Sequence, residues 1–220
     1  MDVTTALTCR NSTRAFLDRP VGDEQIRAIL DAARWAPSGV NTQPWQVAVV
    51  RGAGKQKLAD ALIAARAGAA PNPDYRYYPE QWFDPFKERR KQCGLALYQA
   101  LEIRREDTDK QRAAWDNNYR FFGAPVGLLL FLDRRLGQGS WIDMGMFMQS
   151  IMLAAQDQGL ATCPQASLAD YPDVVRGQLA IEDNLALLGG IALGYADPDA
   201  AVNRFRTERE PVENFTRWYE

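Results

Sequence analysis

The sequence predicts an α+β fold. Apolar residues recur at helical spacing in three segments, Asp23–Trp35, Lys55–Arg66 and Trp141–Gln158. Short continuous apolar runs at Gln46–Arg51, Val126–Leu132 and Leu185–Tyr195 read as strands. At 220 residues the chain is one domain or a tight pair, long enough to bury roughly 70% of its unfolded surface. Its 46% hydrophobic and 25% charged residues are an ordinary globular composition, without internal repeats.

Charge and residue usage remove several classes of function. A net charge of −2 leaves no global positive field to hold nucleic acid. Cys9, Cys93 and Cys163 form no Cys-x-x-Cys and no even framework, which favours a reducing compartment. No apolar signal stretch opens the chain, and no run reaches the ~18 apolar residues of a membrane span. The expectation is a cytoplasmic protein without membrane or nucleic-acid partners. The chain has 0 histidines. That removes Ser–His and Cys–His nucleophile pairs, most zinc and iron sites, and the commonest acid–base group. An enzyme of this composition works through carboxylates or lets a cofactor carry the hard chemistry.

Taken in order, Met1–Cys9 reads as a short helix. Arg10–Phe16 sets Arg10 and Arg14 around Ser12. This is either a capping serine with solvated arginines or an anion and ring-edge site, for which a planar guanidinium fork is suited. In Asp23–Trp35, Ile26, Ile29, Leu30 and Ala33 face inward, and Asp23 stands where an N-cap or first-turn acid belongs. Pro37 ends that helix, Gly39 permits backbone angles other residues resist, and Pro44 stiffens the exit. Ser38, Asn41, Thr42 and Gln43 lie between them. The loop is either a solvated connection or a frame for a planar, hydrogen-bonding ligand. Gln46–Arg51 follows as a strand, and Lys55–Arg66 as a helix with Leu58, Leu62 and Ile63 inward.

Ala67–Asn118 changes character. Tyr75, Tyr77, Tyr78, Trp82, Phe83 and Phe86 interleave with charges, and Glu88, Glu106, Asp107 and Asp109 neutralise the bases. The segment reads as an excursion from the core, with one or two helices and aromatics able to wall an apolar pocket. Val126–Leu132 has the continuous apolar run of a central strand buried on both faces. In Trp141–Gln158, Met144, Phe147, Met148, Ile151 and Ala155 form a core stripe closed by Gly159. Cys163 lacks an activating partner. Gly189 and Gly190 let another backbone or a ligand approach. They are not part of a Gly-x-Gly-x-x-Gly turn, so a dinucleotide fold is rejected. Asn203–Pro211 concentrates arginines, which as a bare pattern is a solvated surface.

Pro37-Ser38-Gly39-x-Asn41-x-Gln43-Pro44-Trp45 resembles the signature loop of the FMN-dependent nitroreductase family. Arg10-x-Ser12-x-Arg14 resembles that family's N-terminal flavin motif, and Phe121–Pro125, Cys163–Ser167, Gly189–Gly194 and Arg206–Pro211 extend the likeness along nearly the whole chain. The resemblance implies a nitroreductase-like fold, with a mixed, mostly antiparallel sheet flanked by helices. It implies one FMN-binding domain over 1–220, with 67–118 as a helical lid, in an intertwined homodimer that packs its long central helices across a two-fold axis. FMN would be held by Arg10, Ser12 and Arg14, and by Pro37, Ser38, Gly39, Asn41 and Gln43 of the other subunit's loop. Asn117 (or Asn118) and Arg120 would add contacts. Pro164, Gln165, Ala166 and Ser167 would lie on the ring's edge, in a loop that offers the Ala166 N–H. Arg206 and Arg209 would hold the phosphate. Trp82, Phe83 and Phe86 would shape the substrate pocket. Hydride would pass from NAD(P)H through FMN to a small electron-poor acceptor such as a nitroaromatic or quinone, with no obligatory catalytic side chain and no metal. A flavin carrier or sensor, and relatives' chemistries such as reductive dehalogenation, enone reduction or flavin destruction, are the alternatives.

Overall fold

A computed structural model describes residues 1–220. The elements are α1 (Val3–Cys9), α2 (Asp23–Ala33), β1 (Gln46–Arg51), α3 (Gly52–Gly68), α4 (Phe86–Ala100), α5 (Thr108–Tyr119), β2 (Val126–Asp133), α6 (Gln138–Asp157), β3 (Ala161–Gln165), α7 (Pro172–Leu179) and β4 (Leu185–Gly194). The four strands form one sheet in the order β1-β2-β4-β3. Every strand pair is antiparallel. A parallel bridge from Ser12 to Thr162 adds the N-terminal segment outside β3.

Helices cover both faces, and β2 shows why its sequence is continuously apolar. Val126, Leu128, Leu130 and Leu132 pack with Ile26 and Ile29 of α2 and with Met144, Phe147 and Ile151 of α6. Leu129 and Phe131 pack on the other side, with Leu58 and Leu62 of α3, Phe121, and Val175 of α7. An uninterrupted apolar strand usually signals a parallel sheet. Here two helical layers give an antiparallel strand the same environment. The α6 stripe is core: Met144, Phe147, Ile151 and Ala155 are buried within their own chain. These residues are therefore not the surface that the long helix would offer across a two-fold axis. Ile142, 69% exposed, lies outside the stripe.

Two elements are additions to the sequence reading. Ala161–Gln165, expected as a loop, is an edge strand, which tolerates Pro164 because proline is confined to edges where no partner needs its N–H. Helix α7 starts on Pro172 and ends at Ala180 in the left-handed region (φ 52°). The close approach at Gly189 is to protein backbone: a Cβ there would stand 2.6 Å from the Gln165 carbonyl oxygen. The register slips between Leu130 and Phe131, which leaves Leu188 of β4 unpaired. Tyr75 donates its hydroxyl to the Leu188 carbonyl at 2.6 Å.

The excursion holds α4 and α5, and α4 buries none of its residues. Its stalk is tied down firmly. Asp74 bridges Arg176 (2.8 Å) and Arg134 (2.7 Å) and accepts the Leu187 N–H at 2.9 Å. Tyr171 donates to the Ala69 carbonyl at 3.2 Å. No helix is long and apolar enough to cross a membrane.

Candidate flavin site

The arginine cluster grows from the edge of the sheet. Past α1 the chain runs alongside β3, where the Thr13 N–H donates to the Thr162 carbonyl at 3.0 Å. Arg14 folds its guanidinium back onto the Ser12 carbonyl (3.2 Å) and faces the Phe205 ring at 6.0 Å. Asn203 joins this segment to the tail. Its Oδ1 accepts the Arg14 N–H at 2.8 Å, and its Nδ2 donates to the Ala15 and Asp197 carbonyls at 2.8 and 2.9 Å. Arg206 donates to the Asn203 carbonyl at 2.9 Å, and Arg209 to Thr207 Oγ1 at 2.8 Å. Burial, together with the charge of Arg209, lowers the Arg10 pKa. An arginine stays charged regardless, so several fixed cations meet here without a carboxylate bonded to them. Cys163 lies among them. Burial pushes its thiol up to about 11 against the opposing pull of Arg14, Ser12 and Arg10, so it is a neutral thiol at physiological pH.

The C-terminal end of β3 adds a second group. Gln165 donates its Nε2 to the Asn118 carbonyl at 2.7 Å. Ala166 follows the strand and leads into a 3-10 turn, Ser167–Ala169. Of the two neighbouring asparagines, Asn118 adjoins Gln165, whereas Asn117 and Arg120 are exposed. Four buried polar atoms in this region lack any hydrogen-bond partner: Arg10 Nε and Nη1, Gln165 Oε1 and Ser167 Oγ. A buried polar group left unpaired costs about 1–3 kcal/mol, so such a set is the mark of a place completed by something else.

The loop Pro37–Trp45 lies elsewhere. It leads into β1, the opposite edge of the sheet from β3. Three strand spacings separate the edges, roughly 14 Å. One chain therefore does not bring Ser38, Gly39, Asn41 and Gln43 onto its own arginine cluster. Within the loop, the Gln43 N–H donates to Ser38 Oγ (3.0 Å), and Thr42 Oγ1 donates to the Gly39 carbonyl (2.5 Å). Val40, Asn41 and Gln43 all have positive φ, at 46°, 59° and 49°. For a β-branched valine this is a strained conformation, and Val40 is fully exposed.

The lid aromatics form a chain of contacts. Tyr75 packs on Trp141 at 4.6 Å, Tyr77 meets Tyr78 at 4.7 Å, and Tyr78 meets Trp82 at 5.5 Å. Arg90 caps Trp82 at 5.2 Å. Phe83 and Phe86 meet edge-on at 5.3 Å, and both are exposed. Arg89 of α4 pairs with Glu210 at 2.9 Å, which brings α4 to the arginine-bearing tail.

The sequence model of the Nitroreductase family matches residues 7–195. The chain belongs to the nitroreductase family. A 4-nitrobenzoate reductase of Pseudomonas putida is 36% identical over 217 residues, covering 99% of this chain and 95% of that protein. Among solved structures, the FMN- and NADPH-dependent nitroreductase NfnB from Sphigopyxis sp. strain HMH superposes with a TM-score of 0.97 at 41% identity, covering 100% of both chains. The FMN-dependent NfnB from Mycobacterium smegmatis, in complex with NADPH, gives 0.94 at 40% identity over 99% of this chain and 97% of that one.

The orphaned atoms fit FMN. Guanidinium N–H groups suit a phosphate or a pyrimidine carbonyl, and a serine hydroxyl and an amide oxygen suit the mixed donors and acceptors of a flavin ring edge. Several residues of this nitroreductase-family site escape sequence reasoning. Asn203 and Asp74 sit in stretches whose composition gives no hint of their partners. Asp143 did leave a signal, as the one charged residue between Gln138 and Gln156 of an otherwise apolar helix.

Proposed function

We propose that this protein is an NAD(P)H-dependent reductase of electron-poor acceptors, nitroaromatics or quinones, working through FMN. The observation that carries the proposal is the set of buried, unpartnered atoms on Arg10, Gln165 and Ser167 beside β3. FMN, when bound, supplies the two-electron exchange between nicotinamide and acceptor. The chain's own residues bind, orient and shield. Arg206 and Arg209 hold the phosphate, with Arg10 beside Arg209. Arg14 and Ser12, with Pro164–Ser167, frame the ring. The cations contribute an electrostatic field that favours negative charge on what they surround. No side chain serves as an obligatory acid, which is consistent with the absence of histidine.

The site is shared in a homodimer. Asn117, Asn118 and Arg120 flank the chain's own flavin beside Gln165, whereas Pro37, Ser38, Gly39, Asn41 and Gln43 belong to the partner's flavin. Their location on the far edge of the sheet supports this, as do the exposed Trp35, Val40 and Ile142 around the loop. Residues 67–118 act as a lid on the one domain, with Trp82, Phe83 and Phe86 facing the acceptor. A helix with no buried residue of its own is suited to cover a ligand or a second chain.

The test is direct. Purified protein should be yellow and release FMN, not FAD, on denaturation, and anaerobic NADPH or NADH should bleach it, with 4-nitrobenzoate or a quinone restoring the colour. A colourless protein that added FMN cannot reconstitute overturns the proposal. A yellow protein that neither nicotinamide bleaches makes it a flavin carrier instead.

A further inference from the structure

Asp143 is a carboxylate that the mechanism above does not use. It stands on α6, is only 6% exposed, and forms no ion pair. A buried carboxylate without a cation is costly unless N–H groups solvate it. The donor here is one backbone N–H: both Asp143 oxygens lie 3.3 Å from the Gly39 nitrogen. One turn further along α6, the Phe147 ring stacks on Trp45, with centroids 4.7 Å apart and planes 5° from parallel. Residues four apart on a helix are neighbours on one face. Asp143 therefore grips the entry of the loop while Phe147 grips its exit. Between the two grips lie Val40, Asn41 and Gln43 in left-handed conformations. Such conformations persist only where the surroundings over-determine them.

We infer that Asp143 is a positioning residue: through the Gly39 N–H, and with Phe147 on Trp45, it holds the loop so that Asn41 is presented outward to the flavin of the other subunit. This rests on the shared-site assignment made under the proposed function. Asp143 does not touch the flavin. It acts on loop geometry, and the strain at Val40 is the counterpart of that hold.

The experiment uses the full-length dimer and two variants, Asp143→Asn, which keeps one acceptor oxygen, and Asp143→Leu, which fills the volume with none. Hydrogen exchange of peptide 36–45 in the apoprotein reads the Gly39 amide, quenching of FMN fluorescence reads affinity, and visible circular dichroism reads the bound ring's surroundings. The expected result is graded. Asp143→Leu loses Gly39 protection and weakens FMN binding roughly ten- to a hundredfold, the scale of a lost hydrogen bond to a charged group. Asp143→Asn falls between it and wild type, with an altered flavin dichroism. Unchanged Gly39 protection overturns the inference, and so does lost protection with unchanged affinity and dichroism. If Asp143→Leu does not fold, the same readings on Asp143→Asn decide. Wild-type protein that binds no FMN defeats the flavin assignment instead, and Gly39 exchange then still shows whether Asp143 holds the loop.

Discussion

Arg10 carries features that are costly for stability and suited to an anionic or ring-edge ligand. Two of its nitrogens are buried without partners, and burial and Arg209 both work against its charge. Replacing a poorly compensated buried charge with an apolar side chain of similar length is often neutral or stabilising. Arg10→Met should therefore leave the apoprotein's melting temperature unchanged or raised while FMN affinity falls at least roughly tenfold, the value of about one charged hydrogen bond. Calorimetry of the apoprotein and a flavin titration check the two halves, and a variant that loses stability in step with affinity would make Arg10 a structural residue. At this scale the sequence was unevenly legible. The grouping of Arg10, Ser12 and Arg14 is local and therefore visible in the sequence, but only the family resemblance favoured a flavin role over solvated arginines. Asp74 could not, since its partners Arg134 and Arg176 lie 60 and 102 residues away. Only the folded chain gives that buried carboxylate its two guanidinium partners.

Elements were legible where one face or both meet apolar neighbours over several turns. Helices α2 and α6 and strands β1, β2 and β4 all carry such periodicity or runs in their residues. Strand β3 does not: it has five residues, includes Pro164, and owes its conformation to pairing with β4. The long-range register supplies what local propensity lacks. Helix α4 is the opposite case, since it forms without burying a residue. Its independence from the core motivates a prediction about the lid. Trp82→Ala, Phe83→Ala and Phe86→Ala should each shift kcat/KM between a nitrobenzoate and a quinone while FMN content stays near that of wild type. Phe83 and Phe86 are exposed, and surface substitutions are usually within about 0.5 kcal/mol of neutral; the half-buried Trp82 packs on Tyr78 and Arg90 of the lid itself, outside both core clusters. Loss of flavin in all three variants would assign the segment to the cofactor's own cradle.

The whole molecule sets the Pro37–Trp45 loop and the arginine cluster on opposite edges of one sheet; motif order along the chain does not show that separation, and the family resemblance alone assigned the loop to the other subunit. That assignment yields a complementation test. One chain carries Ser38→Ala with Asn41→Ala, and the other Arg14→Ala with Arg209→Ala. Either homodimer should bind flavin poorly. A heterodimer purified with two different tags collects every lesion in one site and should retain close to one tightly bound FMN. If the heterodimer is as empty as both homodimers, the loop serves its own chain. A site shared between subunits would also couple cofactor uptake to association. A ligand that only the paired chains can grip adds its own binding free energy to the pairing, about 2.7 kcal/mol for each site at a hundredfold excess over its dissociation constant. Dilution and loss of colour then become one event, and apoprotein restored from separated chains would turn yellow at a rate that rises with the square of the protein concentration.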